Sequence, residues 1–272
     1  MAHEPPYVAA LVVAAGSGVR MGIGTSKVLL QLGAETILER SVNAFLSIEC
    51  IDEIVIVCRL EDQPQMRTLP YRNPRALPIS FVTGGRVRQE SVFNGLEFLS
   101  GRLLGERSSY VAVHDAARCF IRPETIRRSV KAALAHEAVT VAVRLVDSIK
   151  RVSVDGRVES SLSRDNVWCI QTPQVFRFEI LFEAHRRSTL TVQGQGASDD
   201  AALVEALRPV YVSEGDRSNF KVTTPEDYEI ARSLVALEGA VPTAAQARRT
   251  QEPGQPQQGT LSSASLRVLD PQ

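Results

Sequence analysis

The chain has 272 residues, of which 44% are hydrophobic and 23% charged, and its formal net charge at pH 7 is +0. Such a composition is typical of a globular protein with a buried core. The balanced charge argues against a nucleic-acid-coating or membrane-surface protein, so any phosphate must be bound by a local cluster of cations. No apolar run approaches the length of about 18 residues that a membrane helix needs. The four cysteines form no C-x-x-C pair, which predicts free thiols in a reducing cytoplasm.

Apolar runs alternate with amphipathic segments along most of the chain. Strands are predicted at 7–15, 54–58, 79–83, 110–113 and 138–143, and helices at 36–47, 88–99, 123–136, 177–187 and 225–237. This alternation predicts an α/β fold with a mostly parallel sheet, helices on both faces, and ligands at the carboxyl ends of the strands. One domain is expected over 1–239. Residues 240–272 are rich in Pro, Gln, Gly, Ser and Ala, which predicts a flexible tail.

The first apolar run ends in a glycine-rich loop that carries two cations. The loop contains Ala14, Ala15, Gly16, Gly18, Arg20 and Lys27. Its backbone N–H groups and the two charges would suit a phosphate. Glycines 16, 18 and 22 lack the dinucleotide spacing, and Lys27 precedes Val28 rather than Ser or Thr as in a Walker loop. A plain strand-to-helix turn with surface cations remains the alternative.

Two more motifs follow predicted strands. Gly84-Gly85 leads into a helix whose first turn carries Ser91, a hydroxyl donor suited to a base or ribose edge, although a capped helix turn would look the same. Asp115 follows the strand at 110–113 and could hold Mg²⁺ or a sugar hydroxyl, with Arg118 nearby. An Asp115–Arg118 pair that only ties down a loop is the alternative. We interpret His114, on the opposite side of the strand, as structural.

Asp155-Gly156 lies between two segments of alternating polarity and predicts a β-hairpin over about 147–165. An isolated two-stranded ribbon is marginal in water, so this arm is expected to pack against a second copy of the chain. The arm leads through Arg164 to the segment that contains Thr172. Further on, Ser198 is predicted to cap a short helix, and Lys221 precedes a helix capped by Thr224 with Pro225 in its first turn.

Five blocks taken together in this order closely resemble the 2-C-methyl-D-erythritol 4-phosphate cytidylyltransferase family. They read AAGSGVRMG…SK, GGRVRQESVFNGL, VHDAAR, DSIKRV with RDNVWCIQTPQVF, and NFKVTTPEDYEIA. Three positions in or next to two of these blocks depart from the family pattern. Ser26 and Val28 flank Lys27 where the family usually has Pro and Gln, and Cys119 follows Arg118 where it usually has Pro.

The resemblance implies a Rossmann-like nucleotidyltransferase fold of the GT-A-like type, with a protruding β-arm through which a homodimer forms. It assigns transition-state stabilisation to Arg20 and Lys27, and binding of the sugar phosphate to Arg164 and Lys221. It implies CTP and a polyol phosphate as substrates, no nucleic acid and no membrane as partners, and Mg²⁺ as the cofactor, held largely by CTP. The remaining implied contacts are Ala14, Ala15, Gly16, Gly18, Gly85 and Ser91 to CTP, and Asp115, Arg118 and Thr172 to the polyol phosphate. Asp115 is also predicted as a metal ligand, because a carboxylate at the end of a strand is well placed to hold Mg²⁺.

The residue chemistry agrees with cytidylyl transfer. A phosphomonoester is mostly dianionic at pH 7 and can attack the α-phosphate of CTP without a general base, so the reaction needs positioned cations rather than a histidine. Two alternatives stay open at this point. A ribitol 5-phosphate cytidylyltransferase would share almost every motif, and a non-catalytic nucleotide-binding module would be favoured only if Arg20 or Lys27 were absent.

Overall fold

The computed structural model describes residues 5–16, 26–104, 108–190 and 198–240. Gly18 and Arg20 lie outside the described residues, and so does nearly all of the predicted tail, from 241 to 272. The predictions made for these positions are therefore not tested by the structure.

Strands and helices alternate as predicted. The strands are Tyr7–Val13 (β1), Gln31–Leu32 (β2), Glu35–Thr36 (β3), Glu53–Cys58 (β4), Ile79–Thr83 (β5), Ser109–Asp115 (β6), Ala138–Arg144 (β7), Ile149–Val152 (β8), Val158–Leu162 (β9), Trp168–Arg177 (β10) and Tyr211–Glu214 (β11). The helices are Ile37–Leu46 (α1), Gln63–Arg67 (α2), Arg88–Leu103 (α3), Pro123–His136 (α4), Phe178–Leu190 (α5), Asp200–Val204 (α6) and Pro225–Ala240 (α7). Short 3-10 turns span Lys27–Leu29 and Leu60–Asp62.

Seven strands form the central sheet in the order β11-β7-β10-β6-β1-β4-β5. All neighbouring strands are parallel except β10, which runs antiparallel between β6 and β7. The predicted mostly parallel sheet is therefore confirmed. Val13 at the end of β1 lies opposite Val57 of β4 and Asp115 of β6, so the carboxyl ends of these strands meet at one edge.

The core lies in two layers, one on each face of the sheet. Side chains of β1 alternate between the faces: Val8, Ala10 and Val12 join the cluster that includes α1 and α4, while Ala9 and Leu11 join the cluster of α3 and α5. This period of two is the reason a fully buried strand reads as a continuous apolar run. The predicted helices on both faces are confirmed.

Of the two predicted helix caps, the one at α7 is confirmed and the one at α6 is wrong; α1 has a further cap. Thr36 and Glu39 form a capping box at the start of α1. Helix α7 begins at Pro225, and Thr224 Oγ1 accepts a hydrogen bond from the Asp227 N–H (3.3 Å). Helix α6, however, is capped by Asp199, whose carboxylate accepts from the Ala202 N–H, so the prediction that Ser198 is the cap was wrong. A carboxylate competes well with a hydroxyl for this position.

Strands β8 and β9 form the predicted two-stranded arm, separate from the central sheet. Val152, Val154 and Val158 of the arm are exposed. All four cysteines are free, as predicted. Within the described residues, every helix is too short or too polar to cross a membrane.

Candidate active site

A cavity of about 290 Å³ lies at the carboxyl edge of the sheet, beside the end of β1. The chain places β4 and β5 on one side of β1 and then β6 on its other side, so the strand order changes direction there. Such a switch point between strands is where open α/β sheets bind their ligands. The cavity is lined by Val13, Ala14, Ala15, Gly16, Lys27, Val28, Gly85, Arg86, Val87, Arg88, Ser91, Asp115, Ala117 and Lys221. The structure therefore brings together, around one cavity, the described residues that the sequence assigned to CTP.

Lys27 begins the one-turn 3-10 helix that follows the glycine-rich loop. Its side chain is largely buried, at 9% relative exposure, and Nζ donates a hydrogen bond to the Val222 carbonyl (2.8 Å). A buried ammonium that is fixed by a backbone carbonyl keeps its position without a bound anion. The role of Lys27 at the triphosphate stays a prediction, with which this position agrees, and Arg20 lies outside the described residues.

The Gly84-Gly85 turn packs directly on the glycine-rich loop. A Cβ added at Gly84 would lie 2.4 Å from the Cβ of Ala15, so only glycine allows this approach. Ser91 Oγ accepts a hydrogen bond from the Gly85 N–H (3.1 Å) and donates to the Val87 carbonyl (3.0 Å). Ser91 was predicted to donate to a ligand, but in this structure its hydroxyl is used to hold the turn that lines the cavity.

Asp115 at the end of β6 lies between two cations. Its carboxylate accepts from Arg88 Nε (3.0 Å) and from Lys221 Nζ (2.6 Å). Burial alone would raise the pKa of the Asp115 carboxyl, but the charges of Arg88 and Lys221 lower it well below its usual value. Asp115 is therefore ionised, and its partners are these two cations rather than the neighbouring Arg118 that the sequence suggested.

Arg88 connects Asp115 to a second buried carboxylate. Its Nη1 donates to Asp200 Oδ2 (2.8 Å), and Asp200 Oδ1 lies 3.0 Å from His185 Nε2. Burial lowers the pKa of Arg88, but the charges of Asp200 and Asp115 more than reverse this, so its pKa is raised. Sequence reasoning missed Arg88, although it belongs to the GGRVRQES block, because its partners lie 27 and 112 residues away along the chain.

Arg118 and Thr172 form hydrogen bonds with backbone groups and, in the case of Thr172, with the buried His114. Arg118 donates to the carbonyls of Asn219 (2.9 Å) and Ile170 (3.3 Å). Thr172 Oγ1 accepts from the Asp115 N–H (3.1 Å) and lies 3.0 Å from His114 Nδ1. These hydrogen bonds order the site around Asp115, and the predicted contacts of both residues to the polyol phosphate stay predictions. The interpretation of His114 as structural is supported by its complete burial.

Arg164 is exposed, and its guanidinium donates to the Val146 carbonyl within the arm region. It lines neither the cavity at the carboxyl edge nor the adjacent one described next. A single chain therefore does not bring Arg164 to Asp115 and Lys221.

A second cavity, of about 420 Å³, adjoins the first. Its wall comes from the ends of β7 and β10 and from the loop between β11 and α7, and it includes Arg118, Arg217 and Phe220. Lys221 is the one residue of the described chain that lines both cavities. Two ligands that occupied these cavities would therefore meet at the Lys221 ammonium.

A third cavity, of about 940 Å³, lies elsewhere, between α1, α7 and the segment 119–123. Its arginines already have carboxylate partners: Arg40 contacts Glu238, Arg72 contacts Glu35, and Arg122 contacts Asp216. Its described lining includes no residue of the central sheet and no arginine without a carboxylate partner, so we place the chemistry at the two smaller cavities.

Residues 8–236 match the family described as "IspD: 2-C-methyl-D-erythritol 4-phosphate cytidylyltransferase". A relative of that name from Geobacillus thermodenitrificans is 39% identical over 230 residues, which are 84% of this chain and 96% of the relative. Another from a Synechococcus strain is 38% identical over 226 residues, 83% of this chain and 94% of the relative.

Solved structures agree with the sequence matches. The 4-diphosphocytidyl-2C-methyl-D-erythritol synthase of Anaerococcus prevotii superposes with a TM-score of 0.73 at 28% identity, covering 85% of this chain and 97% of the other. The 2-C-methyl-D-erythritol 4-phosphate cytidylyltransferase of Thermus thermophilus superposes with a TM-score of 0.65 at 31% identity, covering 85% and 99%. The chain therefore belongs to the 2-C-methyl-D-erythritol 4-phosphate cytidylyltransferase family.

Proposed function

We propose that the chain transfers the cytidylyl group of CTP to 2-C-methyl-D-erythritol 4-phosphate. The products are 4-diphosphocytidyl-2-C-methyl-D-erythritol and pyrophosphate, in the non-mevalonate isoprenoid pathway. The observation that carries the proposal is the position of Lys221, which joins a cavity suited to a nucleotide to a second, cation-rich cavity suited to a phosphorylated acceptor. Family membership supplies the identity of the two substrates.

The reaction is an in-line displacement at phosphorus. A phosphate oxygen of the acceptor forms a bond to the α-phosphorus, and the bond from that phosphorus to the α,β-bridging oxygen breaks, so that pyrophosphate leaves with the electron pair. The acceptor phosphate is mostly dianionic at pH 7, so no general base has to remove a proton. His114 is fully buried with both ring nitrogens hydrogen-bonded, and it takes no part in the chemistry.

The protein contributes positioned positive charge. Lys27 is fixed before the nucleotide binds, so it can stabilise charge on the triphosphate without reorganisation. Lys221 is held at the junction of the cavities by Asp115, which Arg88 holds in turn. Aligning two anionic reactants in this way removes much of the entropic and electrostatic barrier.

We propose Mg²⁺ as a component of the nucleotide substrate rather than as an ion held by a protein cage. Both Asp115 oxygens already accept from Arg88 and Lys221, and the described residues contain no cluster of three or more acidic, His or Cys side chains. The triphosphate oxygens would then supply most of the ligands. The predicted contact from Asp115 requires Lys221 or Arg88 to move and stays a prediction.

We also propose that a homodimer forms through the β8–β9 arm. The arm carries exposed valines, and within the described chain its two strands pair only with each other. The exposed Arg164 follows β9, where a partner subunit could use it.

The proposed reaction is tested by pyrophosphate release from CTP with a panel of acceptors. We expect release with 2-C-methyl-D-erythritol 4-phosphate and much less with ribitol 5-phosphate. The Lys27→Ala variant, purified identically, controls for contaminating enzymes. If pyrophosphate were released preferentially with ribitol 5-phosphate, that compound would be the acceptor instead. If CTP bound but no acceptor led to pyrophosphate release, the chain would be a non-catalytic nucleotide-binding module.

A further inference from the structure

The second cavity is lined by cations beyond Arg118 and Lys221, the two that the sequence assigned to the substrate. Four cations line it, Arg118, Arg144, Arg217 and Lys221, against the single carboxylate of Asp147. An excess of this sign favours an anionic ligand. The four cations differ in the partners that they already contact, and these partners decide which cation can bind the anion.

Three of the four cations already have a partner. Arg118 donates to two backbone carbonyls, and Lys221 is paired with Asp115 at 2.6 Å. The Arg144 guanidinium lies 4.5 Å from the centre of the Trp168 ring, in a cation–π contact. Arg217 is exposed and, within the described part of the chain, forms no hydrogen bond or ion pair. It is therefore the cation of this cavity that can bind a ligand without first giving up a partner.

The backbone that carries Arg217 is held rigidly on both sides. The Asp216 carbonyl accepts from Gln171 Nε2 (2.8 Å) and from the Asn219 N–H (3.0 Å). The Asp216 carboxylate accepts from the Ser218 N–H (2.8 Å). A Cβ added at Gly215 would lie 2.5 Å from Gln171 Oε1, so the loop packs closely there as well. A fixed backbone lowers the ordering cost of a contact made by the side chain it presents.

We propose that Arg217 binds the phosphate of the acceptor and so determines the affinity for the polyol phosphate. This inference rests on the proposed function, because it takes the acceptor phosphate as the anion. A guanidinium can donate two parallel hydrogen bonds to phosphate oxygens, which a single ammonium cannot. Arg217 precedes Lys221 by four residues in the same loop, so one ordered segment provides both a binding charge and the charge at the junction of the cavities.

The test is steady-state kinetics of Arg217→Ala with CTP and 2-C-methyl-D-erythritol 4-phosphate. We expect KM for the acceptor to rise about tenfold to a hundredfold, since a hydrogen bond to a charged group contributes about that much to affinity. KM for CTP should stay within about twofold, because the nucleotide cavity does not include Arg217. The Arg217→Lys variant, which keeps the charge and loses the two-pronged donor, should fall between wild type and Arg217→Ala.

Arg208→Ala is the matched control, because Arg208 is also exposed and lines none of the three cavities described above. It should leave both KM values unchanged, and the melting temperatures of all three variants should equal that of wild type. An Arg217→Ala protein with a wild-type KM for the acceptor would overturn the inference, as would a rise in KM confined to CTP.

A calorimetric titration of the acceptor into the enzyme with a non-hydrolysable CTP analogue separates this inference from the proposed function. If the acceptor binds to Arg217→Ala as tightly as to wild type, only the role of Arg217 is removed. Wild type that neither binds nor turns over 2-C-methyl-D-erythritol 4-phosphate removes both the proposed function and the inference.

Discussion

The Lys27 ammonium is held in the nucleotide cavity by a hydrogen bond to the Val222 carbonyl before any ligand is present. We predict that Lys27→Ala lowers the single-turnover rate about 10²- to 10³-fold, the usual cost of losing one preorganised charge, while CTP affinity falls much less. Rapid-quench measurements at saturating CTP would show this. Lys131→Ala, on the exposed face of α4, serves as the control. A Lys27→Ala rate within about threefold of wild type would remove the assignment; the same prediction holds for Arg20→Ala.

His114 makes folding stability depend on pH. Its Nε2 faces the Arg118 carbonyl and must donate to it, so Nδ1 is left as the acceptor of the Thr172 hydroxyl in a neutral ring. Burial lowers the pKa of His114 to about 3. Because the unfolded chain binds this proton near pH 6.5 and the folded chain does not, stability falls as the pH drops from about 6.5 towards 3. By pH 5 the loss amounts to about 2 kcal/mol.

Urea unfolding at pH 7 and pH 5 measures this effect. The difference in unfolding free energy between the two pH values should shrink in His114→Asn, whatever that substitution does to stability at pH 7. The exposed His136 gives the matched variant, His136→Asn, which should keep the wild-type difference. Equal differences in wild type and His114→Asn would show that His114 is not the titrating group.

At the scale of elements, the turn between β5 and α3 positions the nucleotide loop. We predict that Gly84→Ala weakens CTP binding at least tenfold, because the new methyl group would overlap Ala15, and displacing the loop disturbs its contacts with the nucleotide. The control is Gly101→Ala in α3, where an added Cβ meets nothing within 4 Å and helix propensity favours alanine. Calorimetric binding of CTP to both variants would test the prediction, and unchanged affinity in Gly84→Ala would contradict it.

The elements that the sequence predicted best are those with a strong local signal. Strand β1 and the turn at Gly84 were found because an apolar run meets glycine at each of them. Strand β10 was not predicted, because polar residues and Pro173 interrupt its apolar pattern where its pairing with β7 shifts register. Its place in the centre of the sheet follows from contacts with β6 and β7, which no local pattern records.

The candidate site likewise contains residues that a local pattern identified and contacts that only the folded chain shows. Lys27, Asp115 and Lys221 were identified because each follows a strand or precedes a helix in a recognisable block. The ion pair between Lys221 and Asp115 was not identified, since these residues are 106 positions apart in the chain. The role of Arg88 likewise depends on two ion pairs that reach from the start of α3 to Asp115 at the end of β6 and to Asp200 at the start of α6.

At the scale of the whole molecule, the described chain gathers most of its predicted site but leaves Arg164 apart. Lys27, Asp115 and Lys221 lie around one cavity, whereas Arg164 is exposed at the end of an arm whose strands pair only with each other within the described residues. Two-stranded ribbons are marginal alone, and a two-fold contact would bury both copies of the arm at once. A dimer would therefore stabilise the arm and could bring each Arg164 to its partner's acceptor cavity.

We predict that replacing residues 152–160 by a short Gly-Ser turn gives monomers. KM for 2-C-methyl-D-erythritol 4-phosphate should rise steeply, because Arg164 loses the partner surface that positions it, while CTP binding is largely kept by the intact sheet edge. Sedimentation measures the oligomeric state, and kinetics with each substrate varied in turn measures the two effects. A milder variant, Val154→Ser, tests whether exposed apolar surface drives association, since Val154 is fully exposed in the single chain. A shortened arm that still sediments as a dimer, or a monomer with a normal acceptor KM, would show that the arm does not complete the site.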